Sequence, residues 1–383
     1  MPFSDLTDEL HELESQGLRR QRRILESAQG AHVRVDGQDY LAFCSNDYLG
    51  LASHPGLIDA ACRGAGQYGV GAGASHLIVG HSAAHHKLEQ ALAAFLELPQ
   101  ALLFSTGYMA NLGIVSALLR RHDVVLADKL NHASLNDAAL LSRAQFLRYT
   151  HLDLAHLEQA LAGAQGRRKL VVTDAVFSMD GDVAPVPQLL ALCERYDAYL
   201  LLDDAHGFGV LGAHGRGILE HFNVQSPRII YMATLGKAAG VFGAFVAGGD
   251  DLIQALIQGA RTYIYTTALP PLLATALLAS LHIFREEGWR RAHLRELIAY
   301  LKAHLNTERW QLMPSDTPIQ PLLIGSNQEA LRVAEALRMQ GILVPAIRPP
   351  TVPKGQARLR ISLSAAHSKE DVRRLCAALS ALA

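Results

Sequence analysis

Residues 229–240 read Ile-Ile-Tyr-Met-Ala-Thr-Leu-Gly-Lys-Ala-Ala-Gly. Ile229–Met232 is a short, unbroken apolar run, the pattern of a strand buried on both faces. A single lysine, Lys237, follows among small residues, and a second apolar run, Ala244–Ala247, comes after it. No charge partner stands nearby in sequence. Burial disfavours an ammonium and leaves an amine suited to act as nucleophile or base, or to form a Schiff base with a carbonyl compound. The competing reading is a loop lysine whose head reaches water.

Outward from this stretch the same pattern repeats. Ala101–Phe104, Val124–Ala127, Leu170–Thr173 and Tyr199–Leu202 are runs of the same kind, and helical patterns such as Leu152–Ala162 and Pro187–Tyr196 lie between them. The alternation predicts an α/β fold with a mainly parallel central sheet and helices on both sides. Such sheets bind ligands at the carboxyl ends of their strands. After the predicted strands come Ser105–Asn111, then Asp128 to Ser134 with His132, then Asp174 to Asp182 with Ser178, then Asp203-Asp204-Ala205-His206-Gly207, then Lys237. His132, Ser178, Asp203, His206 and Lys237 therefore fall on one edge of one sheet. The Ser105–Asn111 turn enters a helix, and its free N–H groups suit a phosphate; Ser or Thr there is also an ordinary cap.

The flanking segments differ. Ser4–Arg23 has helical spacing and ends in Arg19, Arg20, Arg22 and Arg23, which read as a solvated helix end or as an anion clamp on substrate. His32–Val35, a turn at Asp36-Gly37 and Tyr40–Phe43 predict a hairpin. Beyond residue 285, helical Glu286–Leu305, Ile319–Ile324, helical Gln328–Met339, Ile342–Ala346, Ala357–Leu363 and a helix from Ser368 to Leu382 predict a small α/β domain. The expected organisation is an N-terminal segment 1–50, a large cofactor-binding domain 51–285 and a small C-terminal domain 286–383. Between Ile347 and Lys354, Arg348 stands beside prolines that stiffen it as a carboxylate fork.

Composition narrows the classes. The chain has 383 residues, half of them hydrophobic, and a formal net charge of -1. That gives no pull toward nucleic acid or an anionic membrane. The four scattered cysteines form no CxxC pair, which favours a reducing, cytoplasmic setting over a disulfide framework. The acidic N-terminus lacks an apolar signal core, and Ala268–Phe284 is short for a bilayer and reads as a buried helix. Gly69–Gly80 has glycines near dinucleotide spacing but follows no clear strand, and Thr234–Lys237 lacks the other residues of a P-loop. His81, His85 and Glu89 are spaced to share a helix face and to touch a metal, though a solvated polar face explains them as well. No metal is expected.

Pyridoxal phosphate (PLP) requires an imine-forming lysine, a carboxylate for its ring nitrogen, a phosphate cradle and a flat group against the ring. Lys237, Asp203, the Ser105–Tyr108 turn and His132 answer these needs; Ser178 and His206 suit the phenolic oxygen, and Thr234 reaches the phosphate. Ser45–Leu51 (SNDYLGL), Ser105–Asn111, Asn131–Leu135 (NHASL), Val176–Asp182 (VFSMDGD), Asp203–Gly209 (DDAHGFG) and Thr234–Lys237 (TLGK), in this order, resemble the α-oxoamine synthases, fold-type I PLP enzymes. The resemblance spans essentially the whole chain. It implies that Lys237 holds the cofactor and moves the α-proton, that His132 stacks on the ring, and that Asp203 pairs with the ring nitrogen. Gly107, Tyr108 and Thr234 would position the phosphate, with Thr266 or Thr267 reaching that of a neighbouring subunit in a homodimer. Arg348 would grip the amino-acid carboxylate. Arg20, or Arg19, would bind substrate, and Asn46, Ser75 and Thr351 would line the acyl side. Ala346–Pro353 (AIRPPTVP) resembles the members that condense L-alanine with a pimeloyl thioester, carried by coenzyme A or acyl-carrier protein, in biotin synthesis. A glycine-using member, or a non-catalytic protein of the same fold, is the alternative. Ala238-Ala239 departs from the family pattern of Gly followed often by an aromatic residue; activity is expected to survive it.

Overall fold

The computed structural model describes residues 4–383; Met1–Phe3, the start of the acidic N-terminal stretch, lie outside the described residues. The chain divides into two compact units, one of Leu49–Ser178 and Asp182–Arg291, the other of Met1–Tyr48, Met179–Gly181 and Ala292–Ala383.

The larger unit is built on a seven-stranded sheet. Its strands are β1 (Gln100–Phe104), β2 (Val124–Asp128), β3 (Gln145–Tyr149), β4 (Lys169–Asp174), β5 (Tyr199–Asp203), β6 (Ile229–Thr234) and β7 (Ala244–Gly248), in the order β1-β7-β6-β5-β4-β2-β3. β3, β2, β4, β5 and β6 pair in parallel, whereas β7 runs antiparallel to both β6 and β1. The parallel strands need crossover helices, but the antiparallel β6–β7 step needs only a short link. Lys237 sits on that link. The sheet is mainly parallel, as its apolar runs predict. β3 escapes the sequence pattern because it is an edge strand and only Tyr149 within it is buried.

Leu102, Val125, Val172, Leu201 and Met232 on one face pack against Ile114, Leu135 and Leu256 from the helices Gly107–Leu118, Ala133–Ser142 and Asp250–Gly259. Pro55–Tyr68 and Ala83–Leu96 each pack against Pro271–Glu286, with Phe95, Phe208 and Phe284 in mutual ring contact. A Cβ on Gly64 would come within 2.9 Å of the Leu272 backbone, so glycine sets how closely two of these helices approach.

In the smaller unit, His32–Val35 and Gln38–Ala42 form the expected hairpin, turning through positive φ at Asp36 and Gly37 (50° and 78°), as a type I′ turn requires. Ile342–Leu343 joins its edge in parallel. A second, antiparallel sheet contains Gln311–Leu312, Ile319–Gly325, Ala357–Ser362 and Ala346–Ile347. The expected single strand over Ile342–Ala346 is thus split between two sheets. Pro345, which has no N–H to give a ladder, stands at the break.

Two helical expectations are corrected. The N-terminal helix spans only Ser4–Ser15. Gly17 (φ +64°) stops it, with Leu18 N donating to Leu13 O at 2.7 Å and Gly17 N to Glu14 O at 3.0 Å, a Schellman closure. Arg19–Arg23 therefore lie past the helix, and the helix-end reading of that cluster falls. Glu286–Leu305 is likewise not one helix: Pro271–Glu286 ends before Gly288, and Trp289–His304 begins anew. Among the described residues no helix is long and apolar enough to cross a membrane.

Candidate active site

The carboxyl ends of the parallel strands put acidic residues in register. Asp174 at the end of β4 lies opposite Asp203 at the end of β5, which lies opposite Met232 of β6. Asp203 is 4% exposed. Its Oδ2 accepts from Asn111 Nδ2 at 2.7 Å and its Oδ1 from Ala205 N at 3.1 Å. His206, also buried, faces the lysine: Lys237 Nζ and His206 Nε2 are 2.9 Å apart. The link carrying Lys237 is closed by Leu235 N to Gly243 O (2.8 Å), Val241 N to Leu235 O (3.1 Å) and Gly240 N to Lys237 O (2.9 Å). Ala238 and Ala239 are buried beneath it, and Ser280 Oγ donates to Ala239 O at 2.9 Å.

His132 caps the helix Ala133–Ser142. Its backbone N–H donates to Asp174 Oδ2 at 2.7 Å, and its Nδ1 lies 2.8 Å from Ser134 Oγ and 3.3 Å from Ser134 N. Its ring is otherwise exposed, which leaves a face for a flat partner. Burial lowers the pKa of His132, the Asp203 carboxylate opposes this, and Lys237 reinforces it; the net direction is down. Burial, then the neighbouring Asp203 charge, raises the Asp174 carboxyl well above its usual range.

Thr106 caps the helix Gly107–Leu118 by accepting from Met109 N at 3.1 Å. The N–H groups of Gly107 and Tyr108 have no acceptor within the helix. Gly107 lies beside Thr234: a Cβ there would be 4.0 Å from Thr234 Cβ. Thr234 Oγ1 donates to Gly243 O at 3.0 Å. The Tyr108 hydroxyl donates to Asp137, and its ring meets the His132 ring edge-on at 6.4 Å. Ser178 is half-buried on the loop after β4. The segments carrying Thr266-Thr267 and Ser75 are tied by Ala268 N donating to Ala74 O at 2.9 Å.

Arg20, Arg348 and Thr351 meet in the smaller unit, lining a cavity of about 190 Å³ with Leu18, Ala346, Ile347 and Pro349. Burial, then the charge of Arg20, lowers the pKa of Arg348. Arg19 pairs with Glu14 at 2.6 Å and lines a second cleft with Arg22, Arg23 and Arg338, which Arg348 also lines. Asn46 Oδ1 accepts from Arg360 Nη1 and from the Tyr48 hydroxyl, both at 3.1 Å.

The histidine–glutamate set is arranged differently from its sequence spacing. Only His85 and Glu89 are on the helix Ala83–Leu96; His81 precedes it. Both His85 nitrogens are engaged, Nδ1 by Ser82 N at 3.0 Å and Nε2 by Leu269 O at 2.6 Å, so it has no lone pair for a metal. His81, His86 and Glu89 do bring one donor atom each within 4.8 Å of one another. Burial raises Glu89 to about 7.

Sequence reasoning gave no role to Asn111, Ser134, Asp174 or His151. Asn111 and Ser134 lie inside motifs already singled out, and their signal was a polar residue on an otherwise apolar helix face. His151 follows edge strand β3 and bridges Asp128 Oδ1 (2.9 Å) and Asp182 Oδ2 (2.7 Å).

An amine beside an imidazole, a buried carboxylate, an open histidine ring and a helix start next to a glycine suit PLP. Fold and site define a fold-type I PLP protein, and residues 38–379 match the family model "Aminotransferase class I and II". An 8-amino-7-oxononanoate synthase from Nitrosospira multiformis is 67% identical over 365 residues, 95% of this chain and 92% of its own length. A solved structure of SPT with the PLP internal aldimine gives a TM-score of 0.92 at 29% identity, covering 99% of this chain and 97% of that one. The structure of 8-amino-7-oxononanoate synthase from Francisella tularensis gives 0.79 at 32% identity, covering 89% and 97%. The chain belongs to the 8-amino-7-oxononanoate synthase family.

Proposed function

We propose that this chain catalyses the decarboxylating condensation of L-alanine with a pimeloyl thioester. The products are 8-amino-7-oxononanoate, carbon dioxide and the free carrier, coenzyme A or acyl-carrier protein, in biotin synthesis. PLP bound at the Lys237 cluster supplies an aldehyde for amine capture and a protonated ring that draws electrons from the amino-acid Cα. Lys237 provides the tethering amine and is the base placed to take the Cα proton. Asp203 holds the ring nitrogen protonated, which also compensates its own burial. His132 would lie against the ring, and Ser178 and His206 would address its phenolic oxygen. Gly107, Tyr108 and Thr234 hold the phosphate, with the first-turn N–H groups as donors.

On the substrate side, Arg348 holds the alanine carboxylate, Arg20 anchors the other substrate, and Asn46, Ser75 and Thr351 line the acyl path. A homodimer places Thr266 or Thr267 at the neighbour's phosphate. Exposed Ile78 (73%), Val79 (80%) and Tyr265 (71%), on the two tied loops, support such a contact. All four cysteines are free, two of them exposed, which supports a cytoplasmic setting.

The observation that carries this reading is the amine of Lys237 held at 2.9 Å from His206, three residues past the buried carboxylate of Asp203 that ends β5. The test supplies alanine or glycine with pimeloyl, acetyl or succinyl thioesters and follows thiol release. Release with alanine and the pimeloyl thioester is expected; release only with glycine overturns the assignment.

A further inference from the structure

Asp203 and His132 are joined by a chain of hydrogen bonds that no cofactor contact requires. Asn111, fully buried, gives both amide hydrogens away, one to Asp203 Oδ2 at 2.7 Å and one to Ser134 Oγ at 2.9 Å. Ser134 Oγ, accepting there, still has its own hydrogen, and His132 Nδ1 lies 2.8 Å away. The opposite amide orientation would press the Asn111 carbonyl oxygen against a carboxylate. The orientation found leaves Asn111 Oδ1 without a partner in the core. A buried orphan acceptor of this kind persists only where the donor end is in demand.

We propose that Asn111 and Ser134 are positioning residues that set the proton on His132. The donors run outward from Asn111 in both directions, toward Asp203 and, through Ser134, toward His132. His132 Nδ1 faces the Ser134 hydroxyl and the Ser134 N–H, and so must keep its lone pair. The neutral ring then carries its hydrogen on Nε2, the nitrogen left open for the reacting groups. The same amide fixes the rotation of the Asp203 carboxylate, aiming its remaining lone pairs. This rests on the cofactor site proposed above, and Asn111 and Ser134 act on that site only through Asp203 and His132.

The test reads ring protonation directly. Histidine is labelled with ¹⁵N, and the His132 signals, identified by their loss in His132→Asn, are followed between about pH 5 and 9 without added cofactor. The unsubstituted protein is expected to hold its proton on Nε2. Ser134→Ala, nearly isosteric, and Asn111→Leu are expected to move a measurable share of it to Nδ1. Both are expected to weaken PLP binding about tenfold, the equivalent of one lost hydrogen bond. Retention of the Nε2 tautomer and of full PLP affinity in Ser134→Ala overturns the proposal, whether or not Asn111→Leu folds. Failure of the unsubstituted protein to bind PLP would instead overturn the proposed function and leave the tautomer measurement intact.

Discussion

Lys237 Nζ and His206 Nε2 stand 2.9 Å apart across the ends of two adjacent parallel strands. One of the two nitrogens donates the hydrogen between them and the other accepts it. Lys237→Ala is expected to abolish turnover and the visible absorption band of the PLP-loaded protein. His206→Asn is expected to keep the band and to lower kcat by about a hundredfold, a typical loss for one positioned proton-handling group. Absorption spectra and steady-state thiol release check both; an unchanged band in Lys237→Ala would sink the lysine assignment.

Asp203→Asn keeps the shape but removes the charge, and sets one amide against that of Asn111. A fall in kcat of at least about 10²-fold is expected, the scale of losing one preorganised electrostatic partner. Single-turnover kinetics with alanine would show it, and a loss confined to KM would contradict the role.

Arg20 and Arg19 can be told apart by their surroundings. Arg348 lines one cavity with Arg20 and Thr351 and another with Arg19, but Arg19 is already paired with Glu14. Arg20→Ala and Arg348→Ala should each raise a substrate KM by about tenfold or more, as expected for a lost charge-assisted bond of roughly 1.5–3 kcal/mol. Arg19→Ala should leave both KM values within about twofold, since exposed ion pairs are worth roughly 0–1 kcal/mol. Initial-rate measurements with each substrate varied in turn provide the comparison.

His151 supplies a pH signature. Burial works against its charge, but hydrogen bonds to Asp128 and Asp182, and their negative charges, raise it to about 9. The folded value exceeds the unfolded value of about 6.5. Its contribution is therefore fully present below pH ~6.5 and disappears as pH climbs through about 9, on the order of 3 kcal/mol in all. His151→Gln should flatten the fall of Tm over that window; a parallel fall in both proteins would remove the bridge as its cause.

Gly240 adopts φ +72°, and a Cβ there would come within 2.6 Å of Leu51. Gly240→Ala should destabilise the protein by about 1–3 kcal/mol and disturb the lysine link. Denaturant melts compared with Gly69→Ala give the scale. Gly69 also has positive φ, but its added methyl would meet nothing within 4 Å.

The sheet and the Lys237 cluster were legible because both write themselves into short sequence windows. An unbroken apolar run marks a strand buried on both faces, and its next polar residue marks the ligand edge; Asp203 follows from that, and Lys237 from the small residues around it together with the other polar groups on the same edge. Features set by the third dimension were not legible. β3 lies at the sheet edge and carries no apolar run. The Arg19–Arg23 cluster kept helical spacing, yet Gly17 turns the chain away first. His85 matched a ligand spacing, but Ser82 and a distant carbonyl claim both its nitrogens. Asn111 shows its purpose only when Asp203, far along the chain, comes within 2.7 Å.

The strand running against its neighbours has a consequence for turnover. Because β7 returns directly alongside β6, the segment bearing Lys237 is sewn to the sheet at both ends and stitched across its middle. The amine can trade one partner for another by rotating about its own methylenes while its anchorage stays fixed. Under the proposed function, each cycle begins from the same mooring.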